Sequence, residues 1–219
     1  MAKVIIFGLG KISEIANYYL EHDSKHEIVA FTVDPEYMSG DTFLGRPVLD
    51  FSTLEESHPP GEYSLFIPIS YHKINQTRAQ KYLDAKSRGY DFISFISSQC
   101  QCHADSIGEN CFIFENNVIQ PFTRIGDNCI IWSGNHIGHH SVIEDHCFIS
   151  SHAVISGNVK VGVFSFIGVN ATLRDNITIG KSNVIGAGSL ILSNTEDLSV
   201  YSTKETPKAK VTSDRLRGI

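Results

Sequence analysis

The chain has no long apolar run. The longest near its start, Val4 to Phe7, is a strand's length, far below the ~20 residues of a membrane span, and no signal-peptide pattern surrounds it. A cytoplasmic protein without a membrane partner is therefore expected. A basic half is also missing: 18 Lys and Arg stand against 24 Asp and Glu, a net charge of −6, which argues against nucleic acid as a partner. No G-x-S-x-G is present, so no nucleophile elbow is visible. Five cysteines is an odd count. Cys100 and Cys102 form only a C-x-C, without the four-ligand spacing of a structural zinc site.

What the chain does have is a six-residue period. From Ile107 an aliphatic residue recurs at 113, 119, 125, 131, 137, 143, 149, 155, 161, 167, 173, 179, 185 and 191 without a slip in register. A fixed period of six with no helical pattern predicts a parallel β-helix. Three hexapeptides make one triangular coil, so residues 18 apart stack at ~4.8 Å, and about five coils give a prism roughly 24 Å tall. Cys111, Cys129 and Cys147 are spaced so as to share one inward corner, and small residues at 123, 141, 153, 165, 171 and 189 suit the same slot. Gly follows the aliphatic residue at 108, 126, 138, 162, 168, 180 and 186, where a turn is expected to need unusual backbone angles. This pattern resembles the hexapeptide-repeat acyltransferases, and that resemblance implies a left-handed coil.

Ahead of the repeat the pattern is α/β. Residues 3–7 read as a buried strand, Gly8-Leu9-Gly10-Lys11 as a turn, about 11–21 as a helix and 27–32 as a strand ending near Asp34. That is how a doubly wound, Rossmann-like unit begins. A dinucleotide clamp would want a third glycine where Ser13 stands. A turn at 45–49, a strand at 64–69 running into Ser70-Tyr71-His72, a helix at about 74–88 and a strand at 91–96 complete the unit. The helix is rich in cations (Arg78, Lys81, Lys86, Arg88) against one Asp84; such a run reads first as a solvated face and second as a phosphate site. The boundaries expected are 1–98 for this domain, 99–192 for the β-helix and 193–219 for a tail, which holds Lys204, Lys208, Lys210, Arg215 and Arg217.

Five of ten histidines fall between Gly134 and Gly162: His136, His139, His140, His146 and His152. Metal is one reason for such a cluster, but the γ-class carbonic anhydrases, which share this coil, use two histidines five residues apart, and no pair here has that spacing. No metal is expected. General base chemistry is the other reason, since imidazole titrates near working pH and acyl transfer from a thioester needs a proton removed from the attacking group.

The α/β unit followed by coils carrying Ile137-Gly138-His139-His140 and Ser156-Gly157-Asn158-Val159-Lys160-Val161-Gly162 resembles the bacterial nucleotide-sugar N-acetyltransferases, typified by the UDP-4-amino-sugar enzymes and the sialic acid O-acetyltransferase-like group. The resemblance implies acetyl-CoA as co-substrate, a nucleotide-linked amino sugar as acceptor, a homotrimer, and His139 as base, with His136, His140 and Glu144 as support. Where the family carries an acidic residue after the histidine, this chain has His140. By the same resemblance CoA lies between neighbouring prisms near His152, Gly157, Val169, Ala187 and Pro207. The nucleotide-sugar maps onto Gly8, Gly10, Lys11, Asp34, Ser70 and Tyr71. Alternatives are O-acetylation of a sialic acid or polysaccharide precursor, or a non-catalytic trimeric scaffold.

Overall fold

In the computed structural model, which describes residues 1–215, the N-terminal sheet forms from β1 (Lys3–Phe7), β2 (Glu27–Val33), β3 (Thr42–Phe43), β4 (Arg46–Asp50), β5 (Tyr63–Phe66) and β6 (Asp91–Phe92). Its order is β3-β4-β2-β1-β5-β6, parallel throughout except for the edge pair β3/β4. Helices α1 (Lys11–His22), the short α2 (Leu54–Ser57) and α3 (Gln76–Ser87) cover it. Both faces of β1 are buried, which is why it reads as an unbroken apolar run. Val4 and Ile6 pack with Ala16 and Leu20 of α1, while Ile5 and Phe7 pack with Leu54 and Ala85 on the other side. β5 stops before Pro68, whose missing N–H cannot serve a ladder. The expected strand at 91–96 divides in two: Asp91–Phe92 joins this sheet and Phe95–Ile96 opens the prism.

The prism has three flat parallel sheets of seven, six and five short strands. The first face runs from Phe95–Ile96 to Val200–Tyr201, the second from Gln101–Cys102 to Leu190–Ile191, and the third from Ser106–Ile107 to Thr178–Ile179. Residues 18 apart are paired, as Phe112 with Ile130 and Ile130 with Phe148. The aliphatic series fills the interior together with Cys111, Cys129 and Cys147, all three fully buried, and the small residues at 123, 141, 153, 165, 171 and 189 are buried too.

The glycines do something other than expected. Those after the aliphatic residue do not take positive φ; a Cβ on Gly138 would lie 2.6 Å from the Gly157 nitrogen, and one on Gly168 2.6 Å from the Ala187 nitrogen. They give clearance to the coil above. The left-handed angle falls two residues later, on Asn110, Asn116, Phe122, Asn128, His140, His146, His152, Asn158, Phe164, Asn170, Asn176 and Ser182, with φ between 53° and 66°. Asn and His are among the few residues other than Gly that take this conformation readily. Three of the five clustered histidines are therefore turn-formers first.

The first face carries outward aromatics that seat the N-terminal domain. Phe95, Phe112, Phe114, Ile130 and Phe148 share one buried cluster with Val4, Leu20, Phe31 and Phe66. Tyr19 of α1 sits 5.2 Å from the Phe114 ring, and Phe66 sits 5.2 Å from Phe112. Such pairs add about 0.5 to 1.5 kcal/mol each beyond the area they bury.

Candidate active site

A triangular prism has three edges, and each meets a different environment. The edge between the third and first faces is covered by α3. Arg78, fully buried, donates to the carbonyls of Asn128, His146 and Cys147 on the prism, to those of Ile69 and Ser70, and to Asn75 Oδ1. Burial with only carbonyl dipoles for company pulls its pKa down to about 10. Asn75 itself donates to the Phe164 carbonyl, and Asn110 bonds both the N–H and the carbonyl of Ile67. The remaining cations of α3 are taken as well: Lys81 by Asp34 at 2.5 Å, Lys86 by Glu109, and Arg88 by Asp84 and Glu55. Arg78 and Lys86 thus join the helix to the prism, while Lys81 and Arg88 are paired within the α/β domain. His146 lies on this edge, half-buried against Tyr82 and Phe164 rather than facing solvent as a bare turn would. Burial holds its pKa below the ordinary histidine value.

The edge between the first and second faces borders a cleft of 370 Å³ lined by Tyr71, Trp132, Phe148, Phe166, Val169 and Ala187, among others. Tyr71 is half-exposed above a shelf of two stacked rings, 5.0 Å from Phe148 and 5.0 Å from Phe166. It is carried by a loop in which Lys73, Ile74 and Asn75 all have positive φ, a strained arrangement for a β-branched residue and of the kind found at ligand sites. The Trp132 indole N–H is buried without a partner among the described residues. His152 lies at this edge with its ring across Gly134, next to Ser151 of the cleft. The structure thus brings Tyr71, Val169 and Ala187 together, with His152 beside them. Pro207 lies exposed in the tail, with Lys204, Lys208, Lys210 and Arg215; Arg217 lies outside the described residues.

The third edge, between the second and third faces, is free. Here His139 is exposed, its Cε1 and Nε2 lying where a Cβ on Gly157 would be, 2.7 and 2.8 Å away. The absence of a side chain on Gly157 lets the ring lie there. The His139 N–H donates to Gln120 Oε1 at 2.9 Å, and its carbonyl accepts from the Asn158 N–H at 2.7 Å, so the backbone is pinned to the coils on both sides. The Nδ1 atoms of His139 and His140 are 3.1 Å apart, with the rings nearly perpendicular at 87°. His140 leans on Phe122, 4.6 Å away on the coil before. Glu144 is engaged elsewhere, by Lys160 at 2.7 Å and the Val163 N–H at 3.0 Å, and Asp145 accepts from the Asp127 N–H. His136 projects from the second face between Val118 and Val154.

The N-terminal residues gather at the carboxyl ends of β1, β2 and β5, the edge where open α/β sheets bind ligands. Gly8 has φ 108°, its N–H bonded to Thr32, and Ser13 fills the space beside it while donating to the Phe7 carbonyl. Gly10 caps α1 and Lys11 begins it, exposed. Asp34 is tied to Lys81 beside a hollow of 290 Å³ lined by Lys73, Gln76, Thr77, Gln80 and Lys81. Of the side chains around this hollow sequence reasoning singled out only the cations, as a possible phosphate site, and it did not find the Phe148–Phe166 shelf. For the shelf a signal existed in the 18-residue spacing of positions 112, 130, 148 and 166.

Comparison with known proteins agrees with this architecture. Residues 106–139 and 123–157 match the model of the bacterial transferase hexapeptide (six repeats). No curated protein matches the sequence. Among solved structures, perosamine N-acetyltransferase from Caulobacter crescentus, in complex with CoA and GDP-perosamine, is 22% identical with a TM-score of 0.79 over 93% of this chain and 94% of its own. The acetyltransferase domain of PglB from Neisseria gonorrhoeae FA1090 is 21% identical with a TM-score of 0.78 over 93% and 97%. WeeI from Acinetobacter baumannii AYE is 18% identical with a TM-score of 0.74 over 91% and 96%. The chain thus carries bacterial transferase hexapeptide repeats over residues 106–157, and its Rossmann-like domain and left-handed β-helix together take the fold of these solved structures.

Proposed function

We propose that the protein transfers the acetyl group of acetyl-CoA to the amino group of a nucleotide-linked deoxyamino sugar, with His139 as general base. The observation that carries this is the exposed His139 imidazole, fixed across Gly157 on the one prism edge that neither the α/β domain nor the aromatic cleft occupies. A base must present a lone pair to the acceptor, and a ring pinned through its own backbone does so without reorganisation. The neighbouring N–H adds to the case. In the slot two residues after the aliphatic position, the N–H groups of Glu109, Asp127, His139 and Lys181 donate to side-chain oxygens. The Gly157 N–H in that slot, like those of Ser133, Asp145 and Val169, has no partner among the described residues; of these it is the one beside the His139 ring, where it would meet the oxyanion of a tetrahedral intermediate. The sugar amine attacks the acetyl carbonyl carbon as His139 takes its proton; the tetrahedral intermediate then collapses with cleavage of the C–S bond, and His139 passes the proton to the sulfur, so that CoA leaves as the thiol.

The acceptor class is supported by the shared fold, since the Caulobacter enzyme is seen with CoA and GDP-perosamine, in forms that include histidine replacements. Gly8, Gly10, Lys11, Asp34, Ser70 and Tyr71 would hold the nucleotide-sugar; His152, Gly157, Val169, Ala187 and Pro207 would hold CoA.

One chain does not close this site. His139 lies on the edge opposite the face that carries the α/β domain, so the width of the second face separates it from its own cleft. That face offers no acidic, lysine or arginine side chain outward (Gln101, Val118, His136, Val154, Thr172, Leu190), with Leu190 62% exposed. A homotrimer in which second faces meet would bring one copy's His139 to another's cleft.

The test is thiol release from acetyl-CoA with a panel of UDP-, dTDP- and GDP-linked amino sugars. His139→Ala should lower turnover on the order of 10²-fold to 10⁴-fold with the fold intact. Unchanged turnover would remove the assignment.

A further inference from the structure

The contact between two histidines on the free edge couples their tautomers, since with the two Nδ1 atoms 3.1 Å apart one must carry a proton and the other a lone pair. Should His140 be the donor, His139 would keep its proton on Nε2, the atom laid over Gly157, and would have no lone pair to offer there. Should His139 be the donor, its Nε2 is the free base. Among the described residues no carboxylate contacts the His139 ring; Glu144 is held by Lys160 and Val163, and Asp145 by Asp127.

We propose that His140 is the positioning residue of the reaction, accepting the Nδ1 proton of His139 through its own Nδ1 so that His139 Nε2 is left unprotonated toward the substrate. This rests on His139 being the base. His140 can reach back because it occupies the left-handed turn slot, φ 61°, which turns its ring onto the preceding residue. The Phe122 ring at 4.6 Å backs it, and its own N–H is tied to the Pro121 carbonyl at 3.2 Å. A neutral acceptor sets the tautomer without placing a negative charge beside the base. As the base takes up the substrate proton at Nε2, the bond from Nδ1–H to His140 strengthens, because a charged donor makes the stronger hydrogen bond.

The turn slot permits a clean test, since two replacements keep the backbone and differ in one atom's role. His140→Gly fits the left-handed angle and offers no acceptor; His140→Asn fits it as well and offers a carbonyl oxygen. The glycine variant should lose on the order of tenfold to a hundredfold in kcat, with KM for acetyl-CoA within about twofold of wild type, as expected when uniform binding is untouched. The asparagine variant should recover most of that loss. Nitrogen NMR of the wild-type protein should show His139 with its proton on Nδ1, and in the glycine variant that preference should be lost. If Gly and Asn variants are equally active, or the proton resides on Nε2 of His139, the proposal fails, even while His139→Ala remains inactive and the base assignment stands. If His139→Ala is itself fully active, both fall together.

Discussion

Two edges of the same prism carry a histidine in the same backbone slot, and they have opposite fates. His146 and His140 both sit in the left-handed turn, at φ 63° and 61°, each with an 18-residue ladder of turn residues above and below it. On the covered edge α3 closes over His146, which is half-buried and held below its ordinary pKa. On the free edge no helix of the described residues covers His140, which is exposed with its ring turned to its neighbour. Backbone demand explains why histidine is tolerated in both places; only the surroundings separate a structural ring from one available to chemistry.

The sharpest way to break this comparison is to disturb each edge and watch for crossover. Removing Arg78 as Arg78→Met leaves five prism and loop carbonyls and Asn75 without their donor. The cost should be at least about 3 kcal/mol, because unmade buried hydrogen bonds are charged at full desolvation, and it is read from the urea midpoint. His139→Ala should leave that midpoint in place, so an equal fall in both would erase the distinction between the edges.

A smaller effect separates clearance from conformation within the repeat. Gly168→Ala drives a Cβ into the Ala187 backbone and should cost about 1 to 3 kcal/mol, as overpacking does. Asn170→Gly, at φ 56°, should change stability by less than about 0.5 kcal/mol, since glycine accepts that angle. Thermal unfolding of the two variants decides which glycine role is right.

The smallest effect is in pH. A histidine held below its ordinary pKa in the fold binds fewer protons than in the unfolded chain, so its stabilisation is intact above about pH 6.5 and declines as pH falls below that. His146→Asn, with the residue type that Asn110 and Asn128 place in the same ladder, should flatten this decline in part. His26 and His58, lowered by their own burial, should supply the remainder. Stability curves at pH 7.5 and pH 5.5 for the two proteins give the comparison, and an unchanged slope would remove His146 from it.

The sequence period made the prism legible because every interior position repeats the same demand, and α1 and β1 were legible because their burial is local in sequence. What could not be read was relational. Arg78 looks like one cation in a basic helix until Asn128, His146 and Cys147, from fifty to sixty-nine residues on, present their carbonyls to it. Nor does the sequence show that His140 and His152 occupy the left-handed turn slot, which accounts for the residue type there before any chemistry is assigned. Glu144 looks like a partner for His139 until Lys160 claims it. The placement of His139 opposite the α/β domain follows from which face the aromatics cover, a consequence of outward residues that the inward period does not reveal.

The account stands or falls on whether the free-edge histidine of one copy serves the cleft of another. Co-expressing His139→Ala chains with Ala187→Trp chains, whose cleft is filled, tests this directly. Each variant alone should be inactive, and random mixing should restore about a quarter of wild-type sites, because half the chains supply the base and half the cleft in a closed ring. Mixed assemblies with no activity above either parent would contradict it.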